Sequence, residues 1–101
     1  MRSTYAVVWR EGGRALARGR LELLPSALEL DGLVGPTRVA REIAYDELTG
    51  VRVGRSSADR LDGHPSLVLE HRGGEPIVIA SVAPQGVVAE LAAHLSGRIA
   101  A

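Results

Sequence analysis

The first third of the chain contains residues whose type and spacing could bind an anion: Arg10, Arg14, Arg18 and Arg20. Arg18 and Arg20 stand at positions i and i+2 of a predicted strand, so their side chains point to the same face. A guanidinium presents a planar fork of N–H donors that matches phosphate oxygens. The alternative is an ordinary solvated strand face, because Glu11 and Glu22 are close enough in sequence to neutralise the cluster.

A second set of ligand-type side chains, Asp59, Asp62 and His64, falls in the polar segment 55–65, which we predict to be a surface loop. Oxygen-rich cation sites usually need more ligands, and zinc sites are more tightly arranged. We therefore interpret these residues as solvated charge and predict no metal site. Ser56 and Ser57 lack the glycine elbow of a hydrolase nucleophile. We predict no catalytic residues, no cofactor and no enzyme activity.

The composition of the chain limits its partners. Lys and Arg together number 12 and Asp and Glu together number 12, so the formal net charge is zero, and aromatic residues make up 3%. A nucleic-acid binder of this size is usually basic and stacks bases on aromatic side chains, so we predict no nucleic-acid partner. The absence of cysteine suits a reducing cytoplasm. Since no run approaches the roughly 20 apolar residues of a membrane span, we predict a cytoplasmic protein without a transmembrane segment.

The elements that position these residues are predicted to be short strands in one domain of 101 residues. Alternating apolar and polar residues, separated by Gly and Pro signals, place the strands at residues 4–10, 14–24, 28–31, 37–45 and 49–54 and around 67–69 and 77–79. Gly19 in the second predicted strand indicates a bulge or a sharp bend. Leu33-Val34 is either an exposed apolar tip or a buried extension of the third strand, and we favour the extension.

The last predicted element is an amphipathic helix at residues 84–99. Its apolar positions recur at helical spacing: Val88, Leu91, Ala92, Leu95 and Ile99. Such a stripe must be buried, and only strands are available to cover it. The predicted fold is therefore mainly β, a seven-stranded antiparallel bent sandwich or partly open barrel that is capped by the C-terminal helix.

The segment 41–51 resembles the strand–corner–strand pattern of the pleckstrin-homology-like (PH-like) superfold. It has a charged residue, an aliphatic, a small residue, an aromatic, an acidic corner and a second aliphatic in that order. The pair of segments 67–69 and 77–79, followed by the helix, resembles the closing hairpin and cap of that family. Over residues 1–101 the order of seven strands and one helix is similar to small bacterial PH-like and GRAM-like domains.

The resemblance implies a non-enzymatic interaction module that binds a protein partner, or a second copy of itself, through its sheet edges. It also implies a headgroup site at the end of the first strand and on the second strand, where the series Arg10, Arg14, Arg18 and Arg20 lies. The alternative function is therefore binding of a phospholipid headgroup or an anionic membrane surface by these arginines. A protein partner, self-association and an anionic lipid are the open alternatives.

Overall fold

The computed structural model describes residues 3–54, 61, 66–82 and 87–97. In these ranges the chain forms seven strands, a short 3-10 helix at Tyr45–Glu47 and one α-helix, α1, at Val87–Ser96. The strands are β1 (Ser3–Glu11), β2 (Ala17–Leu23), β3 (Ala27–Val34), β4 (Thr37–Ala44), β5 (Leu48–Gly54), β6 (Ser66–His71) and β7 (Ile77–Ser81).

All seven strands belong to one antiparallel sheet with the order β4-β3-β2-β1-β7-β6-β5. β1 lies at the centre, where it pairs with β2 on one side and with β7 on the other. β4 and β5 are the two end strands, so the sheet is bent but not closed into a barrel. The predicted fold class is confirmed: the protein is mainly β, an antiparallel partly open barrel with a C-terminal helix.

The hydrophobic core lies on the inner face of the sheet, to which alternate side chains of the strands point. α1 packs on β5, β6 and β7. It buries Leu91 and Leu95 and half-buries Ala92, as the spacing predicts, whereas the side chains at Val88 and Ile99 lie outside the described part. The remaining members of the core are Val7, Trp9, Ala17, Leu21, Leu28, Leu30, Ile43, Tyr45, Leu48, Leu67, Leu69, Ile77 and Ile79.

β2 and β3 approach each other closely at Gly19. Gly19 pairs with Gly32, and a Cβ atom on Gly19 would lie 2.0 Å from the carbonyl oxygen of Asp31. The indole N–H of Trp9 reaches across β2 and donates to the same carbonyl at 3.1 Å. The pairing registers on both sides of β2 pass Gly19 without a shift. The pairing therefore shows no bulge at Gly19, and the sharp bend stays a prediction.

Two strand boundaries, the start of β2 and the end of β3, differ from the prediction by more than one residue. β2 begins at Ala17, so Arg14 lies in the turn after β1 and not in a strand. Gly12 in that turn has φ +56°, which a glycine adopts without strain. The turn is longer than the short hairpin turn that the pair Gly12-Gly13 indicates. β3 does extend through Leu33 and Val34, but Leu33 is 49% exposed because it alternates onto the outer face.

A smaller apolar cluster on the outer face of the sheet contains Val8, Ala80 and Leu61. Leu61 is 4% exposed, although it belongs to the predicted surface loop 55–65. One leucine within a polar segment shows no periodicity, so its burial could not be predicted. The other residues discussed in that segment lie outside the described part of the chain: Ser56, Ser57, Asp59, Asp62 and His64. No helix in the described ranges is both long enough and apolar enough to span a membrane.

Candidate functional site

The candidate functional site is the free side of β4, which we name the β4 edge and define as Thr37–Ala44. β4 pairs with β3 along all eight of its residues, and in the described ranges no strand pairs with its other side. The strand contains no proline and no bulge, two of the features that natural edge strands use to avoid pairing. A row of backbone N–H and C=O groups is therefore open to an added strand.

The turn between β3 and β4 determines which backbone groups face outwards. It consists of Gly35 and Pro36, and Gly35 has φ +58°. The residues that flank a two-residue hairpin loop form a hydrogen-bonded pair, here Val34 with Thr37. Since such pairs alternate along an antiparallel ladder, the odd-numbered residues of β4 bond to β3. The outward backbone groups belong to the even-numbered residues Arg38, Ala40, Glu42 and Ala44.

The side chains of Arg38, Ala40 and Glu42 are exposed on the outer face. Val39 and Ile43 point to the core instead, so the predicted alternation along this strand is confirmed. Neither Arg38 nor Glu42 forms an ion pair with another residue of the described ranges. The β4 edge therefore presents one cation and one anion, four residues apart, with a small side chain between them.

An ion pair across the bent sheet ties β4 to β1. Nε and Nη2 of Arg41 donate to Oε1 and Oε2 of Glu11 at 2.9 and 3.1 Å. β2 and β3 lie between these strands in the sheet, so the pair spans the curve. The hydrogen bonds from Arg41 hold the pKa of Glu11 below its ordinary value, and the bond to Glu11 raises the pKa of Arg41. The β4 edge is thus fixed from its inner side.

The pairing of Glu11 differs from the prediction. Proximity in sequence favours the first-hairpin arginines as its partners, but the structure pairs it with a residue 30 positions away. The reason is strand alternation: Glu11 points to the inner face together with Trp9, while Arg10 points to the outer face. Its Oε2 also lies 3.5 Å from Nε2 of the buried His71.

His71 supports this pair through the turn between β6 and β7. Its Nδ1 accepts a hydrogen bond from the backbone N–H of Gly73 at 3.2 Å. Its Nε2 lies 2.9 Å from the carbonyl oxygen of Glu75, an acceptor. A donor facing Nδ1 and an acceptor facing Nε2 assign the ring proton to Nε2 in the neutral imidazole. His71 therefore has a structural role in holding the hairpin beside Glu11.

The inner face beside β4 opens as a cleft of about 460 Å³, which we name the mouth cleft. Its apolar wall includes Trp9, Val34 and Val39, and its polar wall is the pair of Glu11 and Arg41. The volume is within the range of small-ligand pockets. Glu11 neutralises Arg41, however, so the remaining cation of the lining is Arg14 from the turn after β1.

The four arginines predicted to bind an anion are not brought together in one pocket. Arg10, Arg18 and Arg20 lie on the outer face, whereas Arg14 lies beside the mouth cleft. Nε of Arg20 donates to Oδ2 of Asp31 at 3.1 Å, and this hydrogen bond raises the pKa of Arg20. The carboxylate that pairs with Arg20 therefore comes from β3. Headgroup binding by these arginines remains a prediction.

Comparisons with known proteins bear on the fold alone. No protein-family model matches the chain, and the search of curated proteins found no similar sequence. Among solved structures, the chain is similar to the crystal structure of the C-terminal domain of an unknown protein from Leishmania infantum. The TM-score is 0.66 at 17% sequence identity, and the similarity covers 93% of this chain and 82% of that chain. The bent seven-stranded sheet with one terminal helix thus also occurs in a sequence of low identity.

Proposed function

We propose that this chain is a non-enzymatic PH-like interaction module, which binds a protein partner by accepting an extended strand at the β4 edge. The observation that carries the proposal is the regular eight-residue end strand with its outer side unpaired in the described ranges. In strand addition, backbone hydrogen bonds supply affinity and alternate side chains supply specificity. The strand order and the terminal helix support the PH-like classification, and the absence of cysteine supports a cytoplasmic location.

The two ends of the sheet differ in a way that favours β4. The register of β5 against β6 is irregular between Leu48 and Gly50, and α1 packs against β5. An irregular backbone and a flanking helix both restrict the approach of another strand. β4 has a continuous register with β3 throughout Thr37–Ala44. We therefore assign strand addition to β4.

The β4 edge is also held ready for binding. The bidentate pair of Arg41 with Glu11 fixes the middle of the strand, and Pro36 restricts the backbone just before it begins. Tyr45 fixes the other end, because its hydroxyl donates to the carbonyl oxygen of Leu24 at 2.6 Å. A rigid edge loses little conformational freedom when a partner binds, which favours affinity.

The test is a selection of extended peptides from a random display library on the immobilised domain, followed by NMR titration. We expect the amides of Arg38, Ala40 and Glu42 to shift most. Ala40→Pro removes an outward N–H and should weaken binding at least about tenfold, equivalent to one lost hydrogen bond of about 1.4 kcal/mol. Ala40→Thr, the matched control, keeps the N–H and should bind as the unmodified chain does.

The proline variant should stay folded, because the N–H of Ala40 does not bond to β3 and proline is tolerated on edge strands. Val39→Pro removes an N–H that does bond to β3, so it should destabilise the fold by about 1–3 kcal/mol more than Ala40→Pro does. Peptides that bind Ala40→Pro unchanged, or that shift amides elsewhere on the domain, would overturn the proposed function.

A further inference from the structure

We propose that the partner for which the β4 edge is built is a second copy of this chain, joined by antiparallel pairing of the two β4 strands about a two-fold axis at Ala40. The inference rests on the proposed function, since it uses the same edge, and it adds the identity of the partner. In this arrangement Ala40 faces Ala40 of the second copy. Arg38 of each copy then faces Glu42 of the other.

The backbone permits this register. The outward N–H and C=O groups belong to the even-numbered residues of β4. In a dimer of two β4 strands, the even-numbered residues of one copy must therefore lie opposite the even-numbered residues of the other. An axis at Ala40 pairs even residues with even residues along the strand. The Ala40 pair and the two pairs of Arg38 with Glu42 are then hydrogen-bonded pairs, in which each residue donates and accepts across the interface.

The charged side chains favour the axis at Ala40 over the other axis positions that the backbone hydrogen bonds permit. An axis at Arg38, Arg41 or Glu42 would place that residue directly opposite itself in the second copy, and like charges directly opposite are destabilising. An axis at Val39 creates no like-charge pair, but it leaves Arg38 opposite an alanine. Only the axis at Ala40 creates two opposite-charge pairs and no like-charge pair within Thr37–Ala44.

The side chains suit a two-fold contact. Arg38 and Glu42 are exposed and have no ion pair with another described residue, so their pairing breaks no contact seen in the monomer. Ala40 is small, which leaves room for the second strand at the axis. The interface is self-complementary, as a two-fold dimer requires, and it extends one sheet across both copies. A contact through single strands is small, so we expect a reversible dimer.

The test is sedimentation of the untagged full chain over a range of concentrations at physiological salt. The chain should pass from its monomer mass of 10.7 kDa to a dimer as concentration rises. Arg38→Glu and Glu42→Arg each convert both opposite-charge pairs into like-charge pairs, so each should weaken the dimer at least about 30-fold. The double variant Arg38→Glu/Glu42→Arg exchanges the charges and should restore dimerisation.

The decisive sample is an equimolar mixture of the two single variants. A heterodimer of Arg38→Glu with Glu42→Arg has two opposite-charge pairs, so it should form where neither variant dimerises alone. The control mixture is Arg52→Glu with Glu70→Arg, which makes the same charge changes on exposed side chains of β5 and β6, at the opposite end of the sheet from β4. A chain that stays monomeric at all concentrations would overturn the inference. Single variants that dimerise normally, or a control mixture that behaves identically to the test mixture, would overturn it too.

These outcomes separate the inference from the proposed function. A monomeric chain whose selected peptides still require the N–H of Ala40 refutes self-pairing and leaves strand addition intact. A dimer that ignores the charges of Arg38 and Glu42, together with peptides that ignore Ala40→Pro, refutes both. The peptide titration is therefore run at concentrations where sedimentation shows a monomer.

Discussion

Replacing Gly19 with alanine should damage the fold far more than a single methyl group usually does. The added Cβ would lie 2.0 Å from the Asp31 carbonyl oxygen and 2.4 Å from the Cα of Gly32. Both contacts are with backbone, so no side chain can rotate away, and β2 and β3 must separate. Overpacking of this kind costs about 1–3 kcal/mol. Separation also carries the carbonyl of Asp31 away from the buried Trp9 indole N–H, and an unsatisfied donor costs about 1–3 kcal/mol more.

We therefore expect Gly19→Ala to lower the free energy of unfolding by about 4 kcal/mol, a large part of the roughly 5–15 kcal/mol typical of a small domain. The assay is urea unfolding followed by the fluorescence of Trp9, the single tryptophan of the chain. With a slope of about 1.5 kcal/mol per molar urea, the midpoint should fall by roughly 2–3 M.

The matched control is Gly13→Ala, because nothing lies within 4 Å of a Cβ built on Gly13. It should change stability by less than about 0.5 kcal/mol. If Gly19→Ala changes the free energy of unfolding by less than about 1 kcal/mol, β2 and β3 do not approach each other this closely at Gly19, and the account of this contact is wrong.

Two further predictions concern charged residues. Since the pKa of Glu11 is lowered in the folded state, its pairing with Arg41 stabilises the fold above the ordinary carboxylate pKa near 4.5 and loses this effect as the pH falls through the folded pKa. Unfolding curves should show that Glu11→Gln is less stable at pH 7 by about 1–2 kcal/mol and that the difference shrinks towards pH 3; a constant difference would contradict this linkage. A headgroup-binding protein would pellet with anionic liposomes in a salt-sensitive manner, and pelleting would be lost in Arg18→Ala/Arg20→Ala. We expect no such pelleting, because Asp31 pairs with Arg20 and Arg14 lies apart from the other three arginines; pelleting that this double variant abolishes would support the alternative function.

The sequence predicts those features that depend on neighbouring residues. The alternation of Val39 and Ile43 against Arg38 and Glu42 correctly assigns the two faces of β4, because strand periodicity is local. The helical spacing of residues 84–99 likewise identifies the face of α1 that is buried. The number of strands and their positions along the chain follow from the turn signals between them. Periodicity and turn chemistry therefore predict the fold class.

Features that depend on how the sheet curves could not be predicted. The pairing of Glu11 with Arg41 joins residues 30 positions apart, and it needs both side chains to turn inward across a bend. Leu61 is buried because it packs with Val8 and Ala80 on the outer face of the sheet, and both of these residues are distant from it in sequence. The status of β4 as an end strand is likewise a property of the whole strand order, so the candidate site appears only once the sheet is assembled.

The most direct measurement of the central claim is amide hydrogen exchange along β4, followed by NMR. In dilute protein, the amides of Val39 and Arg41 should exchange slowly because they bond to β3, while those of Arg38, Ala40 and Glu42 should exchange quickly. Raising the concentration, or adding a selected peptide, should slow exchange at the three even-numbered amides alone. Even-numbered amides that are already protected in dilute protein, or that stay unprotected when a partner binds, would show that the β4 edge does not accept an added strand.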